Sequence, residues 1–85
     1  MRSFNSTAQV QRGRLLNWLQ KKPCSTVEAR DELGILSPAA RVYELRQYGL
    51  NIQTNSVYVE DIYGGKHRIA QYILFPGSYK KGRKR

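Results

Sequence analysis

The side chains best suited to recognition chemistry lie between residues 37 and 47. At about 100° per residue along a helix, Ser37, Ala40, Arg41, Tyr43, Glu44 and Gln47 share a polar side, opposite a narrow apolar stripe of Pro38, Val42 and Leu45. Gln47 has the amide that pairs with an adenine edge. Arg41 suits a guanine edge or a phosphate, and Glu44 can accept from a cytosine amino group. The small residues Ala39 and Ala40 let the start of such a helix approach another surface closely. A competing reading of the same face is a solvated surface on which Arg41 or Arg46 simply pairs with Glu44. A second set of candidates is Lys66, His67 and Arg68, followed by Lys80, Lys81, Arg83, Lys84 and Arg85. Side chains of these types hold phosphates and carry no base code.

Catalytic chemistry is not indicated. A single cysteine, Cys24, and a single histidine, His67, supply neither an internal disulfide nor the usual protein zinc site. The chain has no phosphate-cradling glycine loop and no carboxylate pair at acid–base spacing. Cys24 is expected to be a small buried residue. The expectation is a non-enzyme that needs no metal and no cofactor.

A net charge of +9 over 85 residues favours a polyanionic partner, either nucleic acid or an anionic membrane surface. The chain contains no apolar run of about 18 residues, and no apolar stretch follows Met1, so a membrane span and a signal peptide are not expected. A cytoplasmic, nucleoid-associated protein is the corresponding expectation. The charge is uneven: residues 1–20 carry +3, residues 21–50 carry +1, residues 51–65 carry −2 and residues 66–85 carry +7. The basic character therefore sits at the two ends.

The elements that would position these groups follow from local signals. Residues 7–21 form an amphipathic helix with Ala8, Arg12, Leu15, Leu16 and Leu19 on one face and Trp18 at its edge, its N–H left to water. Ser25 and Glu28 make a capping box for a second helix over residues 26–33. That helix turns Ala29 and Leu33 inward, Ile35 and Leu36 add apolar area in the turn, and Gly34 stops it. Its acids Glu28, Asp31 and Glu32 repel phosphates, which makes it a support. Ser37 and Pro38 supply the N-cap and first position of a third helix that ends at Tyr48, with Gly49 just beyond. Residues 51–62 and 67–75, joined by the turn cluster 63–66, read as a β-hairpin. Ala70, Tyr72 and Leu74 share one face of its second strand, and Ile69, Gln71 and Ile73 share the other. Either face is apolar enough to be buried. Residues 1–6 are expected to be a flexible leader, residues 7–77 the domain, and residues 78–85 a disordered basic tail.

The run STVEARDELGILSPAARVYELRQYGLNIQT followed by DIYGGKHRIAQYIL resembles a small winged helix-turn-helix family common in phages and prophages. The likeness covers roughly residues 10–77, and LSPAARVYELRQYGLNI is its most specific part. It implies an α+β winged helix-turn-helix fold, with three helices followed by a two-stranded antiparallel hairpin as the wing. It also implies that residues 37–47 are the recognition helix and that the turn over residues 63–68 is the wing, where Lys66 and Arg68 reach phosphates or a minor groove. From Gly34 to Val42 is eight positions, against about six from glycine to first buried aliphatic in compact phage repressors, so a longer turn is expected.

The resulting expectation is sequence-specific binding of double-stranded DNA by a phage or prophage transcriptional regulator, as a homodimer or a cooperative array. An architectural or recombination-directionality factor is the first alternative. The second is a protein-interaction module that inhibits a host protein, to which six tyrosines lend support. RNA binding ranks third, because the strands lack a paired aromatic platform.

Overall fold

Helices come first in the chain, and a long hairpin follows whose base packs against them. The computed structural model describes residues 7–79. In order these are α1 (Ala8–Leu19), β1 (Cys24–Ser25), α2 (Thr26–Leu33), α3 (Pro38–Gln47), β2 (Leu50–Glu60) and β3 (Lys66–Ser78). The expected leader, residues 1–6, and residues 80–85 of the expected tail lie outside the described residues.

The Thr7 side chain caps α1 by accepting from Val10 N at 3.2 Å. The buried stripe of α1 is Gln11, Leu15 and Leu19, rotated from the expected face, with Arg12 and Leu16 only half-buried. A polar residue can sit there because the Gln11 side-chain oxygen accepts from Arg41 at 3.3 Å, so its burial is compensated. The Trp18 N–H is not left to water alone: it donates to the Pro23 carbonyl at 2.9 Å. Both halves of the Ser25–Glu28 capping box form. Gly34 then ends α2 in the left-handed conformation, φ 66°, which suits glycine.

Ile35 is fully buried and its N–H bonds to the Ala29 carbonyl at 3.0 Å. Leu36, expected to add apolar area in the turn, is 62 % exposed. Ile35 already fills the core beneath this turn, and Leu36 follows it in a bend at the surface. Pro38 opens α3, but Ser37 makes no side-chain cap; its carbonyl accepts from Ala40 N and Arg41 N instead.

The sheet has three strands in the order β1-β3-β2, all antiparallel, where two were expected. β1 consists of two residues, too few to show an alternating pattern in sequence. Its Ser25 already has the extended backbone of an N-cap, so pairing with Gln71 needs little further ordering. The buried hairpin face is that of Ile52 and Tyr72, with Ala70 and Leu74 packed beside them. Toward its tip, beyond Val57 and Ile69, the hairpin leaves the core, and residues 58–68 are all exposed.

β3 also runs further than its expected end. Between Leu50↔Ser78 and Asn51↔Phe75 the register shifts, so Pro76 and Gly77 form a bulge, with Gly77 at φ 89°. Tyr79 N–H then reaches the Gly49 carbonyl at 3.3 Å. Residues 78 and 79 thus belong to the sheet end and not to a tail. Cys24 is fully buried, and burial, with the Glu28 charge adding to it, pushes its thiol up to about 12. Such a thiol is not a nucleophile at neutral pH.

Candidate nucleic-acid interface

α3 is seated by its apolar stripe. Pro38, Val42 and Leu45 are buried as the helical spacing predicts. The opposite side carries Ser37, Ala39, Tyr43 and Gln47, all exposed, with Ala40 half-buried among them. This face begins with small residues and ends with an amide, a profile that fits a groove.

Arg41 and Glu44 are placed differently from the exposed residues. Arg41 Nη2 donates to Glu44 Oε2 at 2.9 Å, and Arg41 Nη1 donates to Gln11 Oε1 at 3.3 Å. Arg12 of α1 adds Nη1 to Glu44 Oε1 at 2.8 Å, and its guanidinium lies 5.5 Å from the Tyr48 ring centre. Arg41 Nε is 2.9 Å from Glu44 Oε1 but off the hydrogen-bond direction, and this buried donor has no other acceptor among the described residues. The Arg12 hydrogen bond, helped by Arg41 and opposed by partial burial, holds the Glu44 carboxyl below the usual glutamate range. The pairing reading therefore describes the geometry of Arg41 and Glu44, with Arg12 as a third member.

On its other flank α3 meets the hairpin through Arg46. Nε donates to the Ile52 carbonyl at 2.8 Å and Nη2 to Thr54 Oγ1 at 2.9 Å, while the guanidinium lies 4.6 Å from the Tyr79 ring centre. Arg46 does not pair with Glu44. It is the strut that fixes the hairpin relative to α3.

The hairpin tip is a short loop organised by Asp61. The Asp61 Oδ1 atom accepts from Tyr63 N at 2.9 Å and Gly65 N at 2.8 Å, while Oδ2 lies 2.7 Å from His67 Nε2. These bonds, the His67 one first, lower the Asp61 pKa. Gly64 takes φ 86°, and a Cβ at Gly65 would come within 2.9 Å of Asp61 Oδ2. The turn therefore spans residues 61–65, and Lys66, His67 and Arg68 are strand residues. Lys66 and Arg68 lie opposite Glu60 and Tyr58 on the face continuous with the core side. His67 is on the other face, tied to Asp61, so the three adjacent candidates are divided between two surfaces.

Two helices joined by the four-residue turn 34–37, with a hairpin carried against the second of them, lead to the family. A family model described as a winged helix-turn-helix domain matches residues 10–76. The chain belongs to this family. No curated protein and no solved structure matches it.

In this winged helix-turn-helix domain, α2 and α3 make the helix-turn-helix, and the β2–β3 hairpin is the wing. The described residues contribute only +3 of the net +9; Arg2 and the five cations Lys80, Lys81, Arg83, Lys84 and Arg85 carry the rest. Those five lie outside the described residues, but Tyr79, from which they follow, rests against the C-terminal end of α3. The roles of Arg12, Arg46 and Asp61 did not follow from the helical spacing. Only Asp61, an Asx residue two before Tyr63 and four before Gly65, carries a local signal that could have marked it. Among the described residues no helix is long and apolar enough to cross a membrane, and no group of potential metal ligands occurs.

Proposed function

We propose that the chain binds double-stranded DNA sequence-specifically as a transcriptional regulator of a phage or prophage, at work in the cytoplasm of the host cell and associated with its nucleoid. The observation that carries this reading is α3 itself, braced on both flanks while Ser37, Ala39, Tyr43 and Gln47 stay exposed along one side. Gln47 is the proposed base reader, Ser37, Ala40 and Tyr43 make close contacts, and Arg41 and Glu44 stand at the rim. Lys66 and Arg68 on the wing, with residues 80–85, hold flanking phosphates. The likeness of LSPAARVYELRQYGLNI to phage-type domains supports the regulatory setting.

Selection of bound sequences from random duplexes tests this directly. A palindromic consensus spaced near one helical turn indicates a dimer, and direct repeats indicate an array. Absence of any enrichment would favour a host protein as the target. With a consensus in hand, Gln47→Ala should reduce discrimination by about tenfold. Deleting residues 80–85 should instead weaken all duplexes together and flatten the salt dependence. Loss of specificity on tail deletion, with Gln47→Ala silent, overturns the assignment.

A specific observation also favours a second reading, an architectural or recombination-directionality factor. At the wing tip Ile62 and Tyr63 are 89 % and 90 % exposed on a loop stiffened by Asp61. Apolar side chains so presented suit insertion at a base step, which bends the duplex. Measured bend angles for the wild type and for Ile62→Ala separate the two roles.

A further inference from the structure

Two guanidiniums from different helices converge on one carboxylate at the edge of the proposed reading face. Arg12 and Arg41 both lie within 2.9 Å of Glu44 oxygens. We propose that Arg12 and Arg41 form a clamp for a backbone phosphodiester of DNA, which Glu44 occupies as an internal stand-in until α3 docks. The proposal rests on the DNA-binding reading above and adds to it a contact from α1 and a restraint on affinity.

Stereochemistry is the first support. A carboxylate and a phosphodiester each present two oxygens that share negative charge, and a guanidinium fork pairs with either through parallel N–H bonds. A cluster shaped to hold the first is shaped to hold the second. Its charge balance points the same way. Two cations share one anion, and Arg41 Nε is a buried donor without an aligned acceptor. The cluster thus retains both net positive charge and an unused hydrogen.

Access and placement complete the case. The Glu44 side chain is 32 % exposed and those of Arg12 and Arg41 are 19 % and 18 % exposed, so the cluster opens to solvent. Glu44 precedes Gln47 by three positions, on neighbouring parts of one helix surface. A strand flanking a groove that holds Gln47 would run past it. The Arg12 guanidinium also lies over the Tyr48 ring, 5.5 Å from its centre. While Glu44 remains in the clamp, any phosphate meets its negative charge. Affinity for arbitrary DNA is thereby held down, and the clamp opens only for a seated α3.

The test uses the full chain and Glu44→Gln, with binding to random-sequence duplexes followed by fluorescence anisotropy across a salt series. Glu44→Gln should bind about tenfold more tightly at low salt, with the log K against log salt slope steeper by about 0.9 for each arginine freed. Adding Arg12→Gln should remove most of that gain. If folded Glu44→Gln binds with unchanged or lower affinity and unchanged slope, the clamp is wrong even though DNA binding stands. A titration with inorganic phosphate, read at the arginine Nε–H NMR signals, keeps the two readings apart. Response of Arg12 and Arg41 in Glu44→Gln without any duplex binding would sink the DNA reading and leave the anion clamp. Should Glu44→Gln fail to fold, the same two signals are followed in the wild type as duplex is added. They must shift on binding, and unmoved signals in a saturated complex overturn the clamp.

Discussion

The two flanks of α3 are both held by arginines, in chemically opposite ways. On the hairpin side Arg46 directs its donors to neutral oxygens, the Ile52 carbonyl and the Thr54 hydroxyl, and stacks on Tyr79. On the α1 side Arg12 and Arg41 are matched to a carboxylate. Neutral acceptors leave the Arg46 charge uncancelled, yet an anion that took its Nε–H and Nη2–H would break the two bonds that join the helix to the sheet. A carboxylate cancels charge, and another anion can replace it. The hairpin flank is therefore built as a joint. The α1 flank is built for exchange.

The largest expected effect is on the joint. Arg46→Ala removes two hydrogen bonds from a charged donor together with the contact to Tyr79, and should destabilise the domain by about 2 kcal/mol. Urea titration measures it. Arg46→Lys should recover little, because an ammonium cannot reproduce the fork that spans Ile52 and Thr54. Arg12→Ala should cost clearly less, since partly exposed ion pairs add little to stability. If Arg12→Ala proved the more damaging change, the joint would be on the wrong flank.

The contrast between the flanks also explains what could be read in the sequence. Signals that act over three or four residues were legible: the Ser25–Glu28 box, the Gly34 stop, and the Pro38, Val42, Leu45 stripe. The Arg41–Glu44 pair is also local, and it was visible as the alternative to base reading. Arg12 lies 32 positions from Glu44, and nothing in either segment announces the other. Arg46 meets Ile52 only after Gly49 has reversed the chain, so its role depends on a turn geometry that spacing does not contain. β1 escaped notice for a different reason: two residues cannot display a period. On the wing, adjacency in sequence suggested that Lys66, His67 and Arg68 act together, whereas strand alternation places His67 on the opposite face.

A smaller effect is expected where the wing holds itself together. Its tip depends on Asp61 and on contacts within the hairpin, with no help from α3. Asp61→Ala should speed amide exchange at Tyr63 and Gly65 by about tenfold while leaving α3 amides unchanged. Gly65→Ala should act in the same direction, since its Cβ would sit 2.9 Å from Asp61 Oδ2. Loosening of α3 in either variant would show that the wing and the joint form one unit.

The smallest effect is the most discriminating, because only one flank of α3 is held by a group that titrates in mild acid. Arg12 first, and then Arg41, hold the Glu44 carboxyl below its ordinary value of 4.5. A carboxyl depressed in the folded state adds stability that is fully present above its unfolded value and is lost as pH falls through the folded one. Stability from this pair should thus be level from neutral pH down to about 4.5 and decline below it. The acceptors of Arg46, an amide carbonyl and a hydroxyl, do not titrate there, so the hairpin flank should be indifferent. Asp61, also lowered, contributes an acid-sensitive part of its own at the wing, common to the wild type and to Glu44→Gln. Urea midpoints taken at pH 7 and at about pH 3.5 should therefore fall further in the wild type than in Glu44→Gln. Equal falls would mean that the arginines do not hold Glu44 in solution, and the α1 flank would lose the anion that distinguishes it from the joint.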